Sequence, residues 1–227
     1  MTYHMQRAFT DLLLMVLLCA SFEAGAGTAG VVGAVTGSAT RQAPDGVRQE
    51  LRRGDTIYEQ DRIRTGARSF ISLKFKDKSR FNLGANAIFR VDQVDDGSAG
   101  MFSAEIVKGA FRFVTGLIAK RRPRAIQIKT GAVATIGIRG TTVGGEVAGY
   151  AATIVLLESE DPAVESAIEV ANQHGQVLID KAGYGTRVPD AHSPPTPPAR
   201  MTLRTIENLV RNINNIQRNA VPRPRLR

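Results

Sequence analysis

Three histidines, one cysteine and a scatter of carboxylates are the side chains best suited to acid–base, nucleophilic or metal chemistry in this 227-residue chain. Their spacing supports none of it. His4 lies in the N-terminal segment, His174 in the turn sequence Gln173-His174-Gly175-Gln176, and His192 beside a run of prolines. None has a His, Cys or acid at ligand spacing, so a zinc site has no basis. There is no G-x-S-x-G elbow, and Cys19 falls in a segment expected to be removed, so no activated nucleophile is set up. Asp95-Asp96 and the pair Glu158 and Glu160 lie in turn and loop sequences, where a solvent-facing role is the simpler reading. Gly137, Gly140, Gly144 and Gly145 form a glycine-rich region, but it lacks the Gly-Lys-Ser/Thr of a phosphate loop and opens no helix. Turn geometry accounts for these glycines, because Gly serves positions with φ > 0. The expectation is a chain that binds or is bound, without enzymatic activity, cofactor or metal.

Arg139 supports a sharper expectation. It sits in Ile126–Val143, an otherwise apolar or small stretch, and arginine is seldom buried without a partner. The sequence predicts a largely buried Arg139 bonded to a carboxylate or to loop carbonyls, with Asp61 as candidate partner. Its role would be to fix a turn built from Gly137, Arg139, Gly140 and Thr141.

The elements that must position these residues follow from periodicity. Residues 1–26 read as a secretory signal peptide: Arg7, then the apolar run Leu12–Ala20, then Ala24-Gly25-Ala26 as a cleavage site. The run is shorter than the ~20 residues that cross a bilayer, although an uncleaved anchor is the alternative. Removal of this leader leaves a periplasmic or secreted chain. Gly30–Val35 reads as a first strand. Ile71, Leu73 and Phe75 alternate with Ser72, Lys74 and Lys76, the period of a half-buried strand. Ala87, Phe89 and Val91 repeat the pattern, then Phe102, Ala104 and Ile106, then Phe111 and Phe113, with a turn expected at Lys108-Gly109. Turn signals recur about every 8–12 residues, the mark of an all-β sandwich, barrel or solenoid. Lys78 stands in a tight turn that favours Gly, which implies strain or a different turn. Lys120–Arg124 reads as a solvated charged loop.

Five segments result: a leader at 1–26, an all-β domain at 27–190, a proline-rich link at 191–199, a basic amphipathic helix at 200–220, and a basic tail at 221–227. Leu203, Ile206, Leu209, Val210, Ile213 and Ile216 form the helical stripe, with Arg204, Arg211 and Arg218 outside it. The helix either docks on a partner or membrane surface or covers its own sheet. From Arg200 the chain has seven arginines and one acid, Glu207. Arg204, Arg211, Arg218, Arg223, Arg225 and Arg227 are the candidate polyanion contacts within a chain of net charge +9. Export argues against nucleic acid and favours an anionic membrane or polymer surface.

The order of these units resembles the FecR domain family. The residues that carry the resemblance are Gly54-Asp55, Asp61–Gly66, Leu73–Asp77 with Ser79, Leu83-Gly84, Phe89–Asp92, Val107–Gly109 with Phe111, Ile128–Thr130, Ile138–Thr141, and Val170–Asn172 with Gly175 and Val177. They cover roughly residues 47–188. Lys78, Gly131 and Val143 depart from the family's Gly, Pro and aromatic. The resemblance implies a twisted β-solenoid, jelly-roll-like domain, with Asp61, Thr65, Gly66, Gly137, Arg139, Gly140 and Thr141 as its structural motif. It also implies a protein partner in the envelope and a part in envelope or iron-linked signalling. The family's cytoplasmic anti-sigma segment and membrane helix are not seen in this sequence, so control of a sigma factor is not carried over. Two other readings stay open: polyanion binding through the arginine-rich helix, and a glycan-acting enzyme. The enzyme would need facing carboxylates ~5–9.5 Å apart.

Overall fold

The structure, a computed structural model, describes residues 27–97, 100–122, 125–160 and 166–201, together with 204 and 207. The expected leader, the stripe of the expected C-terminal helix, and Arg211, Arg218, Arg223, Arg225 and Arg227 lie outside the described residues.

Period-two alternation becomes strand after strand. The small and β-branched run at the start forms β1 (Thr28–Thr36), followed by β2 (Ala39–Gln42), β3 (Arg48–Glu50), β4 (Thr56–Tyr58), β5 (Arg62–Thr65) and β6 (Phe70–Phe75). Then come β7 (Arg80–Leu83), β8 (Ile88–Asp95) and the long β9 (Met101–Val114). A short helix α1 (Leu117–Arg121) leads to the hairpin of β10 (Ile126–Thr130) and β11 (Ala134–Arg139). The remainder is β12 (Thr142–Ala148), β13 (Ala151–Leu157), β14 (Ala167–Asn172), β15 (Gly175–Ile179), β16 (Tyr184–Val188) and β17 (Ala199–Arg200).

These strands build two sheets that share β9. The first runs β4-β1-β6-β7-β9-β12-β13-β16-β17. The second runs β3-β2-β5-β8-β9-β10-β11-β14-β15. Among the described residues, every pairing is antiparallel except β9 with β10. That parallel pair needs a crossover, since a tight hairpin cannot join parallel strands. The crossover contains α1, which buries Ile118 and Ala119. The charged sequence read as a plain loop therefore has a helical turn at its start, while Lys120, Arg121 and Arg122 remain exposed as expected.

The inner faces of the sheets meet in one apolar core. Phe75, Phe81 and Phe113 from the first sheet pack on Phe89 and Phe102 from the second. Phe75 and Phe102 stand edge to face at 5.0 Å, a favoured aromatic geometry. Full burial of each such ring contributes roughly 2–3 kcal/mol, so this cluster fixes the sheets against each other.

Two expectations about connecting segments change. Lys108-Gly109 does not reverse the chain. Residues up to Lys108 pair with β8, and Gly109 onward pairs with β12, so β9 passes through a corner from one sheet into the other. Gly109 takes φ +102 there. The proline-rich segment is also tied down. Thr196 donates its N–H to Arg187 O at 2.9 Å, Arg187 N–H donates to Thr196 Oγ1 at 3.0 Å, and Asn172 Nδ2 donates to Ser193 O at 2.8 Å. The segment lies against β14 and β16, and is followed directly by β17.

The strain expected at Lys78 is present, since its φ is +67. Lys78 N–H donates to Phe75 O, and Phe75 N–H donates to Ser79 O, which is a three-residue hairpin loop with a left-handed last position. Asp77 Oδ1 secures the loop by accepting from Ser79 N–H at 3.0 Å and Ser79 Oγ at 2.5 Å. A left-handed L-residue costs roughly 1–2 kcal/mol, partly offset by the greater chain entropy that Gly loses on folding. Lys78→Gly is therefore expected to stabilise the chain by about 0.5 kcal/mol, read as a higher urea midpoint with unchanged slope.

Candidate functional site

The predicted motif residues separate into two groups. Asp61, Thr65 and Gly66 flank or lie in β5. Asp61 is fully buried at the turn before the strand and holds two things together. Arg41 Nη1, from β2, donates to both Asp61 carboxylate oxygens at 3.2 Å, and Tyr58 N–H donates to Asp61 Oδ2 at 2.9 Å. The Arg41 guanidinium also stacks over the Tyr58 ring at 5.1 Å. Thr65 Oγ1 donates to Gly84 O at 2.6 Å and accepts from Ala87 N–H at 2.8 Å, pinning the loop between β7 and β8. Gly66 leaves room for Ser38, whose Oγ would lie 2.3 Å from any Cβ added there.

Arg139 behaves differently from the expectation. It is exposed at the end of β11 and has no ion pair to a described residue. Asp61 takes its cation from Arg41 instead. The reason is strand parity: Ile136 and Ile138 point inward, so Gly137 and Arg139 point outward. Gly137 is a strand residue and no part of a turn. Gly140 and Thr141 do form the corner, with Gly140 at φ +46, and it hands the chain from the second sheet to the first. Thr141 O accepts from Thr115 N–H at 3.1 Å.

Arg41 was not foreseen as this partner; it belongs to β2. The structure also brings together His174 and His192, with ring centroids 6.2 Å apart. Asp190 accepts from the His192 N–H, which holds its carboxyl below the usual carboxylate range. Among the described residues, no group of three His, Cys, Asp or Glu is placed to hold a metal ion. Of the tail arginines proposed as polyanion contacts, Arg204 is described, and it is exposed.

A second cluster was not foreseen. Arg80 in β7 and Arg112 in β9 stand on the outer face of the first sheet, opposite Phe81 and Phe113. Glu160 bridges them: one carboxylate oxygen meets Arg80, and the other accepts from Arg112 Nη2 at 3.1 Å. Beside the bridge is an open cavity of about 200 Å³, lined by Lys78, Lys120, Gly140, Thr141 and Thr142 among others. The Oγ1 atoms of Thr141 and Thr142 are buried without a hydrogen-bond partner.

Residues 61–160 match the model of the FecR protein family. Two solved structures share the fold, each described as "a putative anti-sigma factor from Parabacteroides distasonis ATCC 8503". One is 10% identical at a TM-score of 0.51, covering 70% of this chain and 71% of that one. The other is 10% identical at 0.50, covering 66% of this chain and 64% of that one, so this chain spans a little under two thirds of its length. A "Cell surface anchoring domain" is 26% identical over 27% of this chain and 82% of that chain, at a TM-score of 0.27. No curated protein matches the chain.

Proposed function

We propose that this chain, with its FecR-family segment, is a non-catalytic binding module of the cell envelope that serves signalling by holding a protein partner. The supporting observation is where the family match falls. Residues 61–160 begin on the Asp61 node, run through the shared strand β9, and end on Glu160 at the basic outer face. The part of the chain that resembles a signalling family thus supplies most of the core and carries the cluster of Arg80, Arg112 and Glu160. A twisted, jelly-roll-like sheet pair exported by the N-terminal leader, and an envelope or iron-linked pathway, are the finer form of this reading. The resemblance found in the sequence supports both.

A second reading is favoured by the arginines after Arg200: attachment to an anionic polymer or membrane surface. The two separate by truncation. The cut belongs after Met201, because β17 pairs with β16 and Met201 N–H donates to Gly183 O. Chains ending at residue 201 and at 227 are expected to retain the same protein from envelope extract, with little change between 50 and 300 mM salt. Only the longer chain should show salt-dependent retention on an anionic matrix. If all retention disappears with the tail, the protein-binding reading is overturned and the polyanion reading takes its place.

A further inference from the structure

We propose that the cleft at Arg80 and Arg112 is a carboxylate-recognition site for an acidic segment of the protein partner, and that Glu160 is its internal occupant. The proposal rests on the protein-binding reading above and specifies its chemistry.

Arg112 is the central group. Its side chain is only 15% exposed, and a cation so placed requires an anion close by. The residues directly opposite it, Asn82 on β7 and Gly144 on β12, carry no charge. Arg80, one step along β7, adds a second positive charge on the same face. The second sheet shows the contrast. There Arg90 faces Glu105 directly across the strand pair and meets Asp92 two residues along, so its anions are built into the register. The first sheet takes its anion from outside the register, from Glu160, which lies 48 residues from Arg112 and 80 from Arg80 in the chain.

Glu160 is 46% exposed, and ion pairs at such exposure contribute little. Another carboxylate can therefore take its place without a large penalty. The wall beside it is equipped to bind more of an incoming chain. Lys78 and Lys120 line the cavity. Size then selects the ligand class. The cavity, at about 200 Å³, lies below the ~300–1,000 Å³ typical of cofactor and nucleotide pockets, but accepts one or two acidic side chains. The way Glu160 already spans both guanidinium groups shows that a side-chain carboxylate fits.

The test uses the full chain and a fluorescently labelled hexaglutamate peptide, followed by anisotropy at 50 mM salt. Glu160→Gln should bind about fivefold tighter than wild type, the effect of vacating an exposed ion pair. Glu158→Gln is the control, since Glu158 is exposed, changes charge equally and bonds neither arginine. It should bind like wild type. Adding Arg112→Met to Glu160→Gln should abolish the gain. Arg80→Gln, at a more exposed position, is the second variant should Arg112→Met fail to fold. Equal binding by the Glu160 and Glu158 variants would overturn the proposal. So would displacement of the peptide by inorganic phosphate at equal carboxylate-equivalent concentration, which would mark a small-anion site. A chain that binds hexaglutamate as expected, yet captures no envelope protein, leaves the cleft standing and removes the functional reading. Capture with no response to Glu160→Gln does the reverse.

Discussion

Gly109→Val is expected to destabilise the protein by about 4 kcal/mol, the largest effect of any single substitution considered. Two physical terms add. Gly109 has φ +102, and holding a β-branched residue there costs roughly 1–3 kcal/mol. A Cβ would also stand 2.7 Å from both Cα and Cβ of Ala87, inside van der Waals contact with backbone that cannot swing aside. Overpacking of this kind adds roughly 1–3 kcal/mol. The approach is close because β9 turns its corner against the start of β8, where Ile88 pairs with Lys108. Gly46→Val is the matched control, with φ +87 and nothing within 4 Å of its added Cβ. It should show the conformational term alone. Urea unfolding of the two variants therefore measures the corner, and Gly109→Val should lower the melting temperature by roughly 10 °C. Equal losses would mean that the contact with Ala87 yields freely and that the corner is not tightly packed.

Asp61→Ala is expected to cost about 3 kcal/mol. Breaking a buried ion pair from one side costs roughly 3–5 kcal/mol, because the remaining charge loses its partner. The lower end applies, since Arg41 keeps 18% of its side-chain surface exposed and can recover some hydration. Tyr58 N–H loses its acceptor in the same change. Arg41→Met tests the assignment through a double-mutant cycle. If the two residues act as one unit, adding Arg41→Met to Asp61→Ala should cost under 1 kcal/mol further, well short of additivity. Strictly additive losses would show that Asp61 is stabilised by something other than Arg41. Arg139→Met should leave stability within about 0.5 kcal/mol of wild type, the usual range for an exposed site.

The strands were largely legible in the sequence. Ile71, Leu73 and Phe75 declared both an element and its inner face, and Phe111 and Phe113 did the same. Even the outward position of Arg139 was available, since Ile136 and Ile138 fix the parity of the strand. The expectation of a buried arginine gave weight to apolar neighbours and ignored that alternation. Lys108-Gly109 shows a different limit. A glycine between two alternating runs signals positive φ, but a corner and a reversal begin with the same local geometry. Only the partner strands distinguish them, β8 on one side and β12 on the other.

The sequence by itself determined that this is a chain of short strands, which residues face inward, and where the backbone must bend. Those properties depend on residues one to four positions apart, which a linear reading compares directly. The tertiary structure alone decided that Arg41 answers Asp61, that Glu160 lies between Arg80 and Arg112, and that β9 belongs to both sheets. Such choices close loops of tens of residues, and closure entropy changes only slowly with loop length. A carboxylate 20 residues away and one 80 residues away are therefore nearly equal candidates until the sheets pack and leave one within reach.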